Sequence, residues 1–128
     1  MKKICLMAVL TLFLSACHES LEDRCEREAK EYTAKNCPAK LDKNIRIDSL
    51  TFDKDSHTLH YFYTLTDAAD NDGVLEAADA INVLRKELKN STSMKTYKDN
   101  KYNFRYTYRS DKDPSKIRMD VTFTAKDY

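Results

Sequence analysis

Glycine and tryptophan are almost absent from the sequence. Gly73 is the one glycine among 128 residues, tryptophan does not occur, and there are two prolines. Phosphate-binding loops and the nucleophile turn of α/β-hydrolases each need several glycines, so the sequence excludes both kinds of site. An excess of charge is also missing, because 22 basic residues stand against 21 acidic ones, and this excludes a polybasic nucleic-acid-binding protein.

Long apolar runs are equally scarce, and the chain has one, at residues 4–14. Lys2 and Lys3 precede it, and Thr11 is its only polar residue. A transmembrane helix needs about 20 apolar residues, so this run is too short to span a bilayer in a mature protein. Its length and its basic start are typical of a cleaved secretory signal peptide.

The apolar run ends in Leu14-Ser15-Ala16-Cys17, which resembles the lipobox of bacterial lipoproteins. The resemblance implies that residues 1–16 are removed and that Cys17 becomes the first residue, with a thioether-linked diacylglycerol and an N-acyl chain such as palmitate. Two or more chains hold a protein durably on a membrane, because each buried CH2 contributes about 0.8 kcal/mol. The alternative is an ordinary secretory signal that leaves Cys17 unmodified.

The expected organisation of the chain has three parts. These are a cleaved lipoprotein signal peptide at 1–16, a short lipidated tether at 17–20 and a single domain at 21–128. Cleavage would leave 20 basic against 21 acidic residues. The remaining length is that of one domain with a modest core.

The remaining cysteines predict a disulfide. With Cys17 acylated, Cys25 and Cys37 are left, and an exported compartment is oxidising, so we expect these two to pair. A straight helix would hold their Cα atoms about 18 Å apart, whereas a disulfide spans less than about 7 Å. The helix that contains Cys25 is therefore expected to end near residues 32–35 and to turn back. Two free buried thiols are the alternative.

Hydrophobic periodicity predicts six elements in the order α-β-β-α-β-β. The predicted elements are a helix that begins near residue 21, strands at 45–53 and 58–66, a helix at 74–88, and strands at 102–108 and 117–124. A change of phase between Ile47 and Leu50 predicts a bulge near Asp48–Ser49. Alternation gives each strand one polar and one apolar face. The expected fold class is α+β, a two-layer sandwich of a four-stranded antiparallel sheet with two helices on one face.

Acidic residues crowd around Gly73 in T-D-A-A-D-N-D-G, residues 66–73. With Gly73 at the sixth position of an EF-hand loop, Asp70 and Asp72 fall at ligand positions, but the first position is Ala68. Calcium takes six to eight oxygen ligands, and this loop does not offer them. We therefore expect an aspartate or Asn71 to cap the following helix, and no metal site.

No catalytic set and no cofactor site is expected from the remaining residues. His57 and His60 are three apart on a predicted hairpin without a third ligand, so surface histidines are expected rather than a zinc site. Eight tyrosines are present. Five of them fall on or beside the predicted strands: Tyr61, Tyr63, Tyr102, Tyr106 and Tyr108. Most share the apolar face, so core packing is expected, and an aromatic groove for a peptide, glycan or apolar ligand is the alternative.

Several stretches resemble small uncharacterised lipoproteins of gut Bacteroidetes, namely I-D-S-L-T-F, Y-F-Y-T-L, L-K-N-S-T, F-R-Y-T-Y-R-S and the terminal F-T-A-K-D-Y. The resemblance implies localisation and fold but no activity. We expect a lipoprotein of the bacterial cell envelope, lipid-anchored at the outer membrane on its periplasmic or surface face. The inner leaflet, the periplasm and the cell surface all remain open as its position.

The expected function is that of a non-enzymatic binding or accessory module. Its partners would be the lipid bilayer, through the acylated N-terminus, and an unidentified protein, peptide or glycan. Nucleic acid is not expected as a partner. The alternatives are a small envelope enzyme inhibitor or hydrolase, and a purely structural envelope component.

Overall fold

The structure is a computed structural model that describes residues 19–128. The expected signal peptide and Cys17 lie outside this range. Helix α1 spans Leu21–Asn36, and the Ser20 hydroxyl caps it by accepting a hydrogen bond from the Asp23 backbone N–H at 3.1 Å. None of the helices in the described range combines the length and apolarity needed to cross a bilayer.

The order of helices and strands along the described residues partly matches the prediction. After α1 the elements are β1 Ala39–Asp42, β2 Ile45–Asp53, β3 Thr58–Leu65, a 3-10 turn at Asp67–Ala69, α2 Val74–Ala77, α3 Ala80–Asn90, α4 Lys95–Asp99, β4 Asn103–Ser110 and β5 Ile117–Phe123.

The sheet is five-stranded and mixed, so the expected four-stranded antiparallel sheet is wrong in two respects. The strand order is β1-β2-β3-β4-β5, and β3 pairs with β4 in parallel while the other pairs are antiparallel. The two predicted hairpins, β2–β3 and β4–β5, are confirmed. The segment that contains α2, α3 and α4 brings the chain back to the end of the sheet at which β3 begins. Parallel strands need a crossover of this kind.

The one strand that was not predicted, β1, gives no periodic signal in the sequence. It has four residues, of which only Ala39 is half-buried. It lies at the sheet edge, where Ala39 pairs with Ile47. The bulge predicted in β2 is confirmed, because the pairing with β3 shifts register between Ile47 and Ser49.

The single helix predicted at 74–88 is wrong, because the structure divides it into α2 and α3. Asp79 lies between them in the left-handed conformation, with φ 52°. A residue in this conformation cannot continue a right-handed helix. The segment at 95–99, which had no clear periodic signal, forms α4.

The core lies between the helices and one face of the sheet. Phe104 and Phe123, on neighbouring strands, are completely buried. Thr33 of α1 fixes the helix to the sheet, since its hydroxyl is 2.9 Å from both the backbone N and O of Leu50. The buried apolar residues are Cys25, Ala29, Ile47, Phe52, Leu59, Tyr63, Leu65, Leu88, Tyr102, Phe104, Tyr106, Tyr108 and Phe123.

Candidate functional site

Four tyrosines form a stacked cluster on the helix side of the sheet. Parallel pairing places Tyr61 of β3 directly beside Tyr106 of β4, and Tyr63 beside Tyr108. The ring centroids are 4.9 Å apart in the first pair and 4.7 Å in the second. Sequence alternation predicted that these residues share a face, but the parallel register that joins the two pairs was not predicted.

The cluster forms the floor of a groove of about 240 Å³, which we call the tyrosine groove. Its residues are Tyr61, Tyr63 and Tyr106 from the sheet, Leu84, Glu87 and Leu88 from α3, and Ser91, Ser93 and Met94 after α3. Glu87 is the only charged residue of this lining. The groove therefore combines an aromatic floor, an aliphatic wall and a polar rim.

The tyrosine side chains of the groove are largely buried, but two of their hydroxyls remain free to form hydrogen bonds with a ligand. Burial raises the pKa of Tyr61 to about 12, and it also raises the pKa of Tyr63 and Tyr106. All three are thus neutral phenols near pH 7. The Tyr61 hydroxyl lies 3.7 Å from the Met94 sulfur. The hydroxyls of Tyr63 and Tyr106 bond to no side chain or backbone group of residues 19–128, and neither is fully shielded from solvent.

The face of the sheet away from the helices, which we call the open face, carries a polar network around one aromatic pair. The rings of His60 and Phe62 stack with centroids 3.8 Å apart. His60 Nε2 is 2.7 Å from the Thr107 hydroxyl, which donates to Asp120 at 3.2 Å. Burial and the nearby Arg105 lower the pKa of His60 below 6.5.

The two histidines lie in different places and differ in exposure. His57 is exposed and stacks on Tyr102 with centroids 5.0 Å apart, whereas His60 is half-buried on the open face. His57 Nε2 lies 3.6 Å from a Glu22 carboxylate oxygen. Among residues 19–128, no group of three or more histidine, cysteine, aspartate or glutamate side chains could hold a metal ion.

The acidic loop does not cap a helix through a carboxylate, so this expectation is wrong. Gly73, with φ 81°, is the N-cap of α2, and no side chain bonds to the helix start. Asp70 instead lies fully buried. It accepts hydrogen bonds at 2.9 Å from the Ser110 hydroxyl, the Lys112 backbone N–H and the Arg118 guanidinium. The residues that hold this carboxylate lie 40 to 48 positions further along the chain, and local spacing does not reveal them.

The two cysteines are free thiols in the structure, Cys25 buried and Cys37 half-buried. Helix α1 does not end near residues 32–35 as expected but continues to Asn36. Helical rise over this span separates the two Cα atoms by about 18 Å. The Cys25–Cys37 disulfide stays a prediction that would require the last turns of α1 to unwind. Non-reducing peptide mapping decides between a linked peptide pair and the two free thiols.

The structure thus consists of a small α+β domain with an aromatic groove between its sheet and α3. Residues 20–119 match the family described as Domain of unknown function (DUF8479), and the chain therefore belongs to this family. Among curated proteins, no sequence matches the chain.

The fold is similar to three solved structures. A candidate secreted protein from Pseudomonas aeruginosa has a TM-score of 0.69 at 15% identity, with 86% of this chain and 98% of that chain covered. The pilotin AspS of the Vibrio cholerae type II secretion system has a TM-score of 0.62 at 12% identity, covering 84% and 92%. The pilotin EpsS of the Vibrio vulnificus type II secretion system has 0.62 at 16% identity, covering 84% and 90%. Identities this low show a shared fold alone.

Proposed function

We propose that this protein is a membrane-anchored lipoprotein of the bacterial cell envelope and acts as a non-enzymatic binding or accessory module. In this proposal Cys17 carries the lipid, and the tyrosine groove holds a segment of a partner protein. The groove is the observation that carries the proposal. The fold shared with two pilotins supports a role as an accessory of an envelope secretion or assembly system.

The chemistry of the groove favours an apolar segment of protein chain. Tyrosine and methionine are enriched at protein interfaces, where large rings supply contact area at low entropic cost. Pockets for drug-sized ligands have volumes of roughly 300–1,000 Å³. The tyrosine groove, at about 240 Å³, accommodates a few side chains of a longer segment. Free hydroxyls on Tyr63 and Tyr106 would bond to polar groups of that segment.

The charge of the groove further defines the partner. Glu87 lies on the exposed rim of the wall and has no basic residue as a partner among residues 19–128. A lysine or arginine beside the apolar stretch would complement it. The proposed occupant is therefore an apolar segment of another envelope protein, flanked by a basic residue.

Photo-crosslinking in cells tests this proposal. A photoreactive p-benzoylphenylalanine at position 87 should link to one apolar segment of an envelope protein. The same group at Glu31, exposed on α1, should not link to that segment. Equal crosslinking from both positions would reject the groove as the binding surface.

A matched pair of variants on α3 completes the test. Leu84→Asp places a charge on the groove wall and should abolish the crosslink from position 87. Val83→Asp makes the same change at the neighbouring position, which is 47% exposed and outside the groove lining, and should preserve it. Melting curves of both variants check that the fold is retained. Crosslinking that survives Leu84→Asp in a folded protein contradicts the proposal.

A further inference from the structure

Two arginines flank a buried threonine in one row across the open face. Arg46 of β2 is paired with Thr64 of β3, and Thr64 is paired with Arg109 of β4. Adjacent strands lie about 4.8 Å apart, so the two arginine Cα atoms are separated by roughly 10 Å. Both side chains line a cavity of about 290 Å³. This cavity lies on the opposite side of the sheet from the tyrosine groove.

The two arginines differ in their partners. Arg46 donates to Asp48 at 2.7 Å and lies 3.7 Å from an Asp111 oxygen. The guanidinium of the half-buried Arg109 makes no hydrogen bond and no ion pair with any group in the described range. Arg109 therefore offers its fork of N–H donors to a ligand.

The surroundings of Arg109 are held in place by a network of hydrogen bonds. The Thr64 hydroxyl donates to Asp48 at 2.5 Å, while Arg46 occupies the other oxygen of the same carboxylate. The loop after β4 closes one side of the cavity through Asp111 and Pro114. The carboxylates of Asp48 and Asp111 both lie beside Arg46 and balance the two arginines in charge, but the Arg109 guanidinium keeps its N–H donors unpaired.

The same cavity has an aromatic wall. Phe62 lies two residues before Thr64 on β3 and faces the same side of the sheet. It lines the cavity beside the arginines. The cavity volume of about 290 Å³ lies at the lower limit for ligand pockets. A cavity of this size holds a group about as large as one amino-acid residue. The site thus combines one free guanidinium with one apolar surface.

We infer that this cavity binds a monocarboxylate that carries an apolar or aromatic group, with the carboxylate on Arg109 and the apolar group against Phe62. Arginine forms paired hydrogen bonds with a carboxylate, which fix the orientation of the ligand. A doubly charged phosphate fits less well, because Asp48 and Asp111 line the same cavity and would repel its second charge.

Binding of N-acetylphenylalanine to the full-length protein in detergent tests the inference. Titration followed by NMR should show saturable binding of the acid and perturb the signals of Phe62, Thr64 and Arg109. The matched amide, N-acetylphenylalaninamide, lacks the charge and should bind at least about tenfold more weakly, as for a lost charged hydrogen bond. Equal affinities, or no binding of the acid up to about 10 mM, would overturn the inference.

Variants on β4 separate the site from the rest of the open face. Arg109→Gln should weaken binding of the acid at least about tenfold. Arg105→Gln, four residues earlier on the same strand and paired with Asp120, should leave it unchanged. Unchanged binding in Arg109→Gln, or binding of inorganic phosphate as tight as that of the acid, would reject the site.

A longer ligand identifies the source of the carboxylate. N-acetyl-Ala-Ala-Phe places the same terminal residue at the end of a short peptide. Tighter binding of this peptide acid indicates a peptide C-terminus, and equal binding indicates a free acid. Both results support the carboxylate site, and failure of the peptide acid to compete with N-acetylphenylalanine contradicts a single shared site.

Discussion

The Asp70 carboxylate joins three parts of the chain at one end of the sheet. Its oxygens accept hydrogen bonds from Ser110 at the end of β4, from Lys112 in the loop that follows and from Arg118 of β5. The backbone N–H of Lys112, the Ser110 hydroxyl and Arg118 lower the pKa of Asp70 to about 2. Because its pKa is depressed in the folded state, this carboxylate stabilises the fold above its usual pKa, and the contribution is lost as the pH falls toward 2.

Replacement of Asp70 should therefore destabilise the protein strongly. Asp70→Asn would leave the Arg118 side chain, which is only 10% exposed, without its charged partner. We expect the Tm at pH 7 to fall by roughly 5 °C or more. Asp72→Asn is the control, since the Asp72 side chain is 81% exposed and its ion pairs should contribute little. Equal Tm values for the two variants would contradict this role of Asp70.

His60 should also make stability depend on pH, in a higher pH range than Asp70. Its pKa is lowered in the folded protein from the ordinary value of 6.5, so the neutral ring is favoured. The resulting stability is complete above pH 6.5 and is lost as the pH falls through the lower folded-state pKa. In urea denaturation, the stability advantage of wild type over His60→Gln should shrink between pH 7.5 and pH 5. An advantage that stays constant or grows would contradict this assignment.

Side-chain facing could be predicted from the sequence, whereas long-range partners could not. Alternation placed Tyr61, Tyr63, Tyr106 and Tyr108 on the apolar face, because side-chain direction in a strand depends only on position. The role of Asp70 depends on residues 40 or more positions away, so its acidic neighbours in the sequence misled the interpretation toward helix capping.

The break between α2 and α3 shows how an element can differ from its periodic pattern. The apolar residues Val74, Leu75, Leu84 and Leu88 all contact the core despite the break. Ile81, two residues after Asp79, belongs to the same apolar pattern but is 42% exposed. The pattern in the sequence therefore continues across Asp79 although the buried face does not, and apolar periodicity alone does not detect the interruption.

The start of α2 depends on the backbone freedom of Gly73. Its φ is 81°, and an added Cβ would meet no heavy atom within 4 Å. Gly73→Ala should therefore cost about 1 kcal/mol through backbone strain rather than through a clash. Urea denaturation measures this cost, with the exposed Glu76→Ala as a control that should change stability by less than about 0.5 kcal/mol. An unchanged stability of Gly73→Ala would contradict the strain argument.

Pairing between elements was the least predictable part of the fold. Each strand of the two hairpins has a clear alternation, and short turns join the strands, so both hairpins could be predicted. Whether β3 and β4 pair at all, and in which direction, depends on the path of the chain through α2, α3 and α4. The edge strand β1 is short and mostly exposed, which removes the pattern that would reveal it.

At the scale of the whole molecule, the proposed anchor would fix the orientation of the domain. Residues 17–20 span at most about 14 Å when extended, so acylation of Cys17 would hold the start of α1 near the bilayer. The β2–β3 turn would lie there too, because Lys54 Nζ contacts Asp23 at 3.2 Å. The cavity with Arg109 lies at the opposite end of the strands and would face away from the membrane.

The mass of the N-terminal peptide from the membrane fraction tests the proposed anchor most directly. The account predicts a peptide that begins at Cys17 and carries a diacylglycerol and an N-acyl chain, and a Cys17→Ala variant that moves to the soluble fraction. A peptide that retains residues 1–16, or one that begins at an unmodified Cys17, would contradict it.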